Sequence, residues 1–594
     1  MCLLLAGLPA AAVAQTIGCF SPAVGNVGTR VTLGGTDLDR VTAVAVGGVA
    51  AAVLDQTRTV LHLVVLPGAA SGPITTTGGA PAASAASFTV TRTALNAAQQ
   101  GPKLVGTGAA GTSAVQGYSV ALSADGSTLA VGGYGDGNSS GISGFSGSGA
   151  AWVFTRSGTG WAQQGPKLVG TGAVGTNVAQ GYSVALSADG STLAAGGPGD
   201  NQNSGATWVF TRSGTNWAQQ GPKLVGAGAA AGFASQGWSV ALSADGATLA
   251  AGGKNDNQVS GATWVFTRSG TNWAQQGPKL VGAGAAGSAE QGASVALSAD
   301  GATLAVGGRT DNNFDGAAWV FIRSGTGWGQ QGPKLVGAGA VGTRVLQGWS
   351  VALSADGAAL AVGGPSDSNF GGAAWVFTRS GTNWSQQGPK LVGAGAVGFA
   401  HQGYSVALSA DGTTLAVGGY GDGNFSGYTG SGAAWVFTRS GTGWGQQGPK
   451  LVGAGAVGSA GQGVSVALSA DGATLAVGGV GDDNGAGATW VFSAARSLGV
   501  ACLPPDAGAF PPFPVAAPNI ITPNGDGLND VFRLPGLPPG PWQLRIYSRW
   551  GQQVFASGDY QQDWSAPGLA DGLYYYWLQS PARPSLRGWL EVIH

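Results

Sequence analysis

The chain has 594 residues, of which 111 are glycine, and only 9% are charged. That length holds several domains, each with its own core. A net charge of −1 without a basic cluster excludes nucleic acid and anionic membranes as evident partners. The glycines follow no Gly-X-Y period. They recur at fixed places in an apolar pattern with Trp and Phe, so they read as turn residues of a repeat. The first element in chain order is a signal peptide over residues 1–14. Leu3–Leu5 and an Ala/Leu run form a short apolar core, and Ala12-Val13-Ala14 is a cleavage signal. The positively charged start is missing, which leaves an apolar tail as the alternative. No later stretch is long and apolar enough to span a bilayer. Export would permit a disulfide between Cys19 and Cys502, and two unpaired cysteines are equally open.

Residues 17–92 read as short strands between Gly/Pro turns. Gly28-Thr29-Arg30-Val31-Thr32-Leu33 opens the series, followed by Val44–Val49, Leu61–Pro67, Ser71–Thr75 and Phe88–Val90. This spacing predicts a β-sandwich. The segment resembles the immunoglobulin-like TIG (IPT) domain, a resemblance that implies a spacer or interaction module on an exported protein.

The phrase QQGPKLVG then recurs seven times, with lysines at 103, 167, 223, 279, 334, 390 and 450, spaced 64, 56, 56, 55, 56 and 60 residues apart. The period suits a four-stranded propeller blade. In Gly181–Gly226, Ser183–Ser187 is the first strand, Asp189-Gly190 a hairpin turn, and Thr192–Ala195 the second strand. A glycine-rich loop leads to a third strand at Ala206–Arg212. Trp217–Val225 is the fourth, an edge strand because Pro222 cannot donate to a ladder. A copy of QQGPKLVG at Gln99–Gly106 precedes any first strand, and the seventh repeat lacks its own copy. The first segment is therefore expected to complete the last blade and close the ring. The predicted fold is all-β: a seven-bladed β-propeller over residues 97–498, flanked by two immunoglobulin-like β-sandwiches. The strings QGYSVALSADGSTLAVGG and GAAWVFTRSGTGWAQQGPKLVG resemble bacterial FG-GAP-type repeats, which implies the same seven-bladed fold. Gln180 and its counterparts replace the Phe of that family. The calcium-binding carboxylate loop is missing from the Ala188-Asp189-Gly190 hairpin, so calcium there is unsupported.

A Pro-rich linker covers residues 499–518. Residues 519–594 then carry Ile521-Thr522-Pro523-Asn524-Gly525-Asp526-Gly527-Leu528-Asn529-Asp530-Val531-Phe532, Leu544–Gly551 and Asp571–Trp577. This segment resembles the gliding-motility-associated C-terminal domain, the type B sorting signal of type IX secretion in Bacteroidetes, although Ser548 stands where that family usually has Asn. The resemblance implies the type IX machinery as a partner, passage through both membranes, and a secreted or cell-surface location.

Strands of a blade alternate in direction, so the variable loops after the second and fourth strands share one face. Insertions at Tyr134–Gly149 and Tyr420–Gly432 lie there too. Insertions gathered on one face commonly mark a binding face. That face carries Asp136, Asp200, Asp256, Asp311, Asp367, Asp422 and Asp482. The preferred reading is loop stabilisation by Asx-turns, and the alternative is a ring that binds cations or sugar hydroxyls. Aromatic residues open the first strand at Tyr118, Tyr182, Trp238, Trp349 and Tyr404, with Ala293 and Val464 in the other repeats. Blade packing is preferred for them over stacking on sugars. Asn524, Asp526 and Asp530 have the alternation of a calcium loop but lack a terminal Glu, so turn formation is preferred there too. No other cofactor is expected. The histidines are His62, His401 and His594, the glutamates Glu290 and Glu591, and no catalytic constellation stands out. The chain therefore reads as an exported, non-catalytic binding or adhesion protein for an extracellular glycan or protein. The alternatives are a structural surface or matrix component and a polysaccharide-acting enzyme.

Overall fold

The computed structural model describes residues 16–493 except 22–23, 26–29, 65–70, 79–80, 91–97, 138–146, 158–159, 231–232, 425–429 and 442, and residues 520–592 except 522–529, 534–541, 549–552, 562, 568, 570–571 and 581–582. The expected signal peptide, the Pro-rich linker, Cys502, Asn524 and Asp526 lie outside the described residues. The chain divides into two compact units, Met1–Pro505 and Asp506–His594.

The first unit opens with eight strands: Thr16–Ser21, Val24–Gly25, Arg30–Thr36, Ala43–Val46, Val49–Gln56, Val60–Val64, Gly72–Thr77 and Ala82–Val90. Period-2 alternation places Val31 with Leu33, and Leu61 with Leu63, in one core with Ile74 and Phe88. The expected run Val44–Val49 is broken at Gly47-Gly48, whose positive φ closes a hairpin instead. Val49–Gln56 links two groups of strands: its start pairs with Ala43–Val46 and its remainder with Val60–Val64, with a register shift between Val53 and Asp55.

The repeats form four-stranded antiparallel sheets, seven of them among the described residues. The second repeat pairs Ser183–Leu186, Thr192–Gly197, Ala206–Ser213 and Asn216–Gln219 in sequence order. The second strand is wholly buried, and the third buries Ala206–Phe210 before it emerges at Thr211. Small residues on the second strand let neighbouring sheets approach closely. A Cβ on Gly196 would meet the carbonyl oxygen of Gly237 in the next repeat at 2.0 Å. The fourth strand ends earlier than expected. Beyond Gln219 the chain leaves the ladder through Gly221 and Pro222, and Leu224 alone makes a bridge, to Thr207.

The ring closes as the repeat ends implied. Ala98–Gln99 pairs with Ala488–Ser493 and supplies the fourth strand of the last sheet. A second closure lies at the hairpin tips. Backbone N–H groups of Ala124, Ala188, Ala244, Ala299, Ala355, Ala410 and Ala470 each donate to the matching alanine carbonyl of the next repeat. Ala470 donates back to Ala124 at 2.8 Å. Each sheet also buries one tryptophan, from Trp152 to Trp490, against its neighbour's strands.

Candidate ligand-binding face

The aspartates of the variable face open tight turns such as Asp200–Asn203, in which Asn201 and Gln202 have left-handed φ. Each carboxylate is buried. Oδ1 of Asp200 accepts the N–H of Val174 at 2.7 Å, and Oδ2 accepts from Lys223 Nζ at 2.5 Å. The same double contact recurs at Asp136, Asp256, Asp311, Asp367, Asp422 and Asp482, whose lysines are 167, 279, 334, 390, 450 and 103. The ring of ligand-binding carboxylates allowed by the sequence is therefore not formed. Both oxygens face inward, because a buried charge needs a partner, and the lysine of QQGPKLVG provides it.

The glutamine of the entry turn, Gln180 and its counterparts, has a comparable role. Gln236 Oε1 accepts the N–H of Gly226 at 2.6 Å, and its Nε2 donates to the Gly226 carbonyl at 2.9 Å. All seven repeats make this two-way amide pair. It joins the constant Gln of the entry turn to the constant Gly that ends QQGPKLVG.

With these positions fixed, three places per repeat vary close to the ring axis. The residue before the glutamine is Val115, Ala179, Ser235, Glu290, Leu346, His401 or Gly461, and each has positive φ. For six non-glycine residues this conformation is costly, and the paired turn imposes it. The second place opens the first strand: Tyr118, Tyr182, Trp238, Ala293, Trp349, Tyr404 and Val464. The third follows the paired glycines of the second strand: Tyr134, Pro198, Lys254, Arg309, Pro365, Tyr420 and Val480.

These places converge on one mouth. Tyr118 meets Tyr134 with ring centroids 4.8 Å apart, and Tyr182 at 4.7 Å, where the two hydroxyls hydrogen-bond at 2.7 Å. Tyr182 leads to Trp238 at 4.6 Å. On the far side Trp349 meets Tyr404 at 5.0 Å, Tyr404 meets Tyr420 at 4.5 Å, and His401 stacks on Tyr420. Between the two aromatic arcs stand Lys254, 4.3 Å from the Trp238 centroid, and Arg309, 4.2 Å from that of Trp349 and 5.8 Å from that of Trp238. Glu290 accepts from Arg309 Nε at 2.5 Å and from Lys254 Nζ at 3.4 Å. Arg309 lies across its own repeat, whose first strand starts with the small Ala293.

The five aromatic residues expected to pack within blades are thus gathered at one place, each partly accessible. Burial pushes the hydroxyls of Tyr118, Tyr182 and Tyr404 far above the ordinary tyrosine range, so they stay neutral hydrogen-bonding groups. Burial also lowers Lys254, and Glu290 works against it. Lys254, Arg309, Glu290, Tyr134 and Tyr420 were not singled out as site residues from the sequence. The signal was present: each stands in a column that differs when the seven near-identical repeats are superposed.

The second unit has its own core. Ile520–Ile521, Arg583–Val592, Gly572–Ser580, Gln543–Ser548 and Gln553–Ser557 pair in that order as one five-stranded sheet among the described residues. Phe532, Trp542, Leu544, Ile546, Tyr560, Trp564 and Leu578 pack on it, and the Tyr560 hydroxyl donates to the Phe532 carbonyl. Residues 515–592 match the CHU_C type IX secretion signal domain. The chain therefore carries an export signal of the type IX pathway. Asp530 lies half-buried at the edge of the described part of this signal domain. Among the described residues, no group of three or more His, Cys, Asp or Glu side chains is placed to hold a metal ion. Nor, among them, is any helix long and apolar enough to cross a membrane.

No curated protein matches the chain. Solved structures similar to it include a fungal alcohol oxidase (14% identity, TM-score 0.40, covering 83% of this chain and 98% of that one). Others are the β-propeller domain of Cps50 (Swd1) from Myceliophteria thermophila (13%, TM-score 0.38, 65% and 98%) and a Bacteroides thetaiotaomicron protein of unknown function (11%, TM-score 0.37, 81% and 98%).

Proposed function

We propose that the chain is an exported, non-catalytic binding protein of the cell surface or extracellular space. In this reading the seven sheets are a seven-bladed, FG-GAP-like propeller over residues 97–498. Its mouth engages a glycan or protein, a TIG/IPT-like spacer covers 17–92, and residues 519–594 serve export. The observation that carries the reading is the restriction of sequence change. The repeats hold their Gln, Asp, Lys and Trp constant, and at three varied places per repeat the side chains gather at one mouth with partly accessible rings and charges. Convergent aromatic and polar groups on a rigid scaffold are what a ligand site requires.

A structural role in a surface layer is the second reading, favoured by the near-identity of the repeats. An enzymatic reading has less support. Glu290 is held by Arg309 and Lys254, and His401 stacks on Tyr420. The test is a glycan and protein array probed with the purified full chain, alongside Trp349→Ala and Tyr404→Ala. Binding that falls at least tenfold in either variant supports the mouth. Unchanged binding in both, or none by the unaltered chain, favours the structural role.

A further inference from the structure

The charged cluster in the mouth is out of keeping with mere filling. Repeats 1 and 6 place tyrosines at the position of Lys254 and Arg309, and repeats 2, 5 and 7 place Pro198, Pro365 and Val480 there. Repeats 3 and 4 alone bring cations. Desolvating a charge is costly unless its partners compensate, so apolar filling would be the more stable plug. The side chains of Lys254, Arg309 and Glu290 keep only 10%, 16% and 12% of their exposure. Two cations face one carboxylate, which leaves a net charge of +1 in the cluster.

The bonding shows where that charge is directed. Glu290 takes Nε of Arg309 and Nζ of Lys254, and Lys254 also donates to Asn255 Oδ1 at 3.0 Å. Asn255 is held in turn by Ser235 Oγ at 3.0 Å. Among the described residues, the hydrogen bonds of Arg309 run through Nε alone, so both Nη groups remain as donors. The guanidinium is pinned from behind by Glu290 and from the sides by Trp349 and Trp238. A fork held in this way has lost its rotamer freedom before any ligand arrives.

Resting on the mouth-binding reading above, we propose that this site takes an acidic glycan, with the carboxylate of a uronic acid received by the Nη groups of Arg309. Two parallel N–H···O bonds match the guanidinium to a carboxylate. The partly accessible rings of Trp349 and Tyr404 adjoin the fork and supply apolar surface beside it for the sugar ring, and the neutral tyrosine hydroxyls supply hydrogen bonds to its own hydroxyls. Lys254 is the positioning residue: it holds Glu290, which holds Arg309.

The test uses the full chain in calorimetric titrations against polygalacturonate, neutral xylan and dextran sulfate. The site predicts that polygalacturonate binds at least tenfold tighter than xylan and weakens as salt rises. Arg309→Gln should remove that preference, Arg309→Lys should restore only part of it, and Arg379→Gln, on the outer strands, should leave it intact. Circular dichroism checks that each variant is folded, and the comparison of the three polymers on the unaltered chain needs no variant. Equal binding of xylan and polygalacturonate overturns the acidic specificity while the mouth reading stands. So does binding to proteins alone, and dextran sulfate binding tighter than polygalacturonate overturns the carboxylate. Binding to nothing in the glycan and protein arrays overturns both readings together.

Discussion

At the scale of single residues, the repeat is held by buried polar pairs as much as by apolar contact. Asp256 accepts from Ala230 N–H and from Lys279, and its removal leaves a half-buried ammonium and a backbone donor without partners. Asp256→Ala is expected to cost about 2–3 kcal/mol in chemical denaturation. Because these carboxylates are occupied, chelation of calcium is expected to leave the stability of the ring unchanged. His401 gives a pH signature. Burial holds its pKa below the ordinary 6.5, against a hydrogen bond to the Pro365 carbonyl that acts the other way. The folded state thus prefers the neutral ring, and unfolding takes up a proton below the unfolded pKa. Stability is full above about 6.5 and declines as pH falls through the lowered folded value. Thermal melts between pH 7.5 and 5 should show a smaller loss for His401→Gln than for the unaltered chain. An equal loss would place the titrating group elsewhere.

At the scale of elements, the third strands offer a built-in comparison. Repeats 2, 3 and 7 carry Thr207, Thr263 and Thr489 where the others have Ala, and among the described residues none of these buried hydroxyls has a hydrogen-bond partner. Thr263→Ala is expected to leave stability unchanged or raise it by up to about 1 kcal/mol. A loss of more than that in denaturant titration would mean the hydroxyl is satisfied. The strands themselves were legible because each is an apolar run bounded by Asp-Gly or Gly-Gly, and because QQGPKLVG repeats so closely. The fourth strand was read too long, since the apolar Leu224-Val225 continues the pattern after Gly221 and Pro222 have already broken the ladder. The aspartates read as Asx-turn residues, with a ligand-binding ring as the alternative, because they lie in variable loops with Asn close by. Only the fold brings a lysine from the fourth-strand segment beneath them. All five of the strand-opening aromatic residues at the mouth meet a counterpart in a neighbouring repeat, 55–64 positions away, a proximity that spacing along a chain does not reveal.

At the scale of the whole molecule, the first and last repeats are joined by groups far apart in sequence. Ala98–Gln99 pairs with the last sheet, Gln99 Oε1 accepts from Ala454 N–H, and Lys103 pairs with Asp482. Deleting residues 98–106 would leave the last sheet with an open edge and Asp482 without its cation. Such a chain is expected to melt at a lower temperature and to self-associate on sizing columns; a monomer of unchanged stability would show that closure contributes little. The closed ring matters for function because the mouth needs all its contributors in register: Arg309 from the fourth repeat sits between rings of the third and fifth. The measurement that bears most directly on this account is the affinity of the full chain for the best glycan or protein ligand of an array, compared between Trp349→Ala at the mouth and Trp384→Ala on the outer strands. A loss of at least tenfold is expected for the first and little change for the second. Equal affinities for both, or a loss confined to Trp384→Ala, would contradict it.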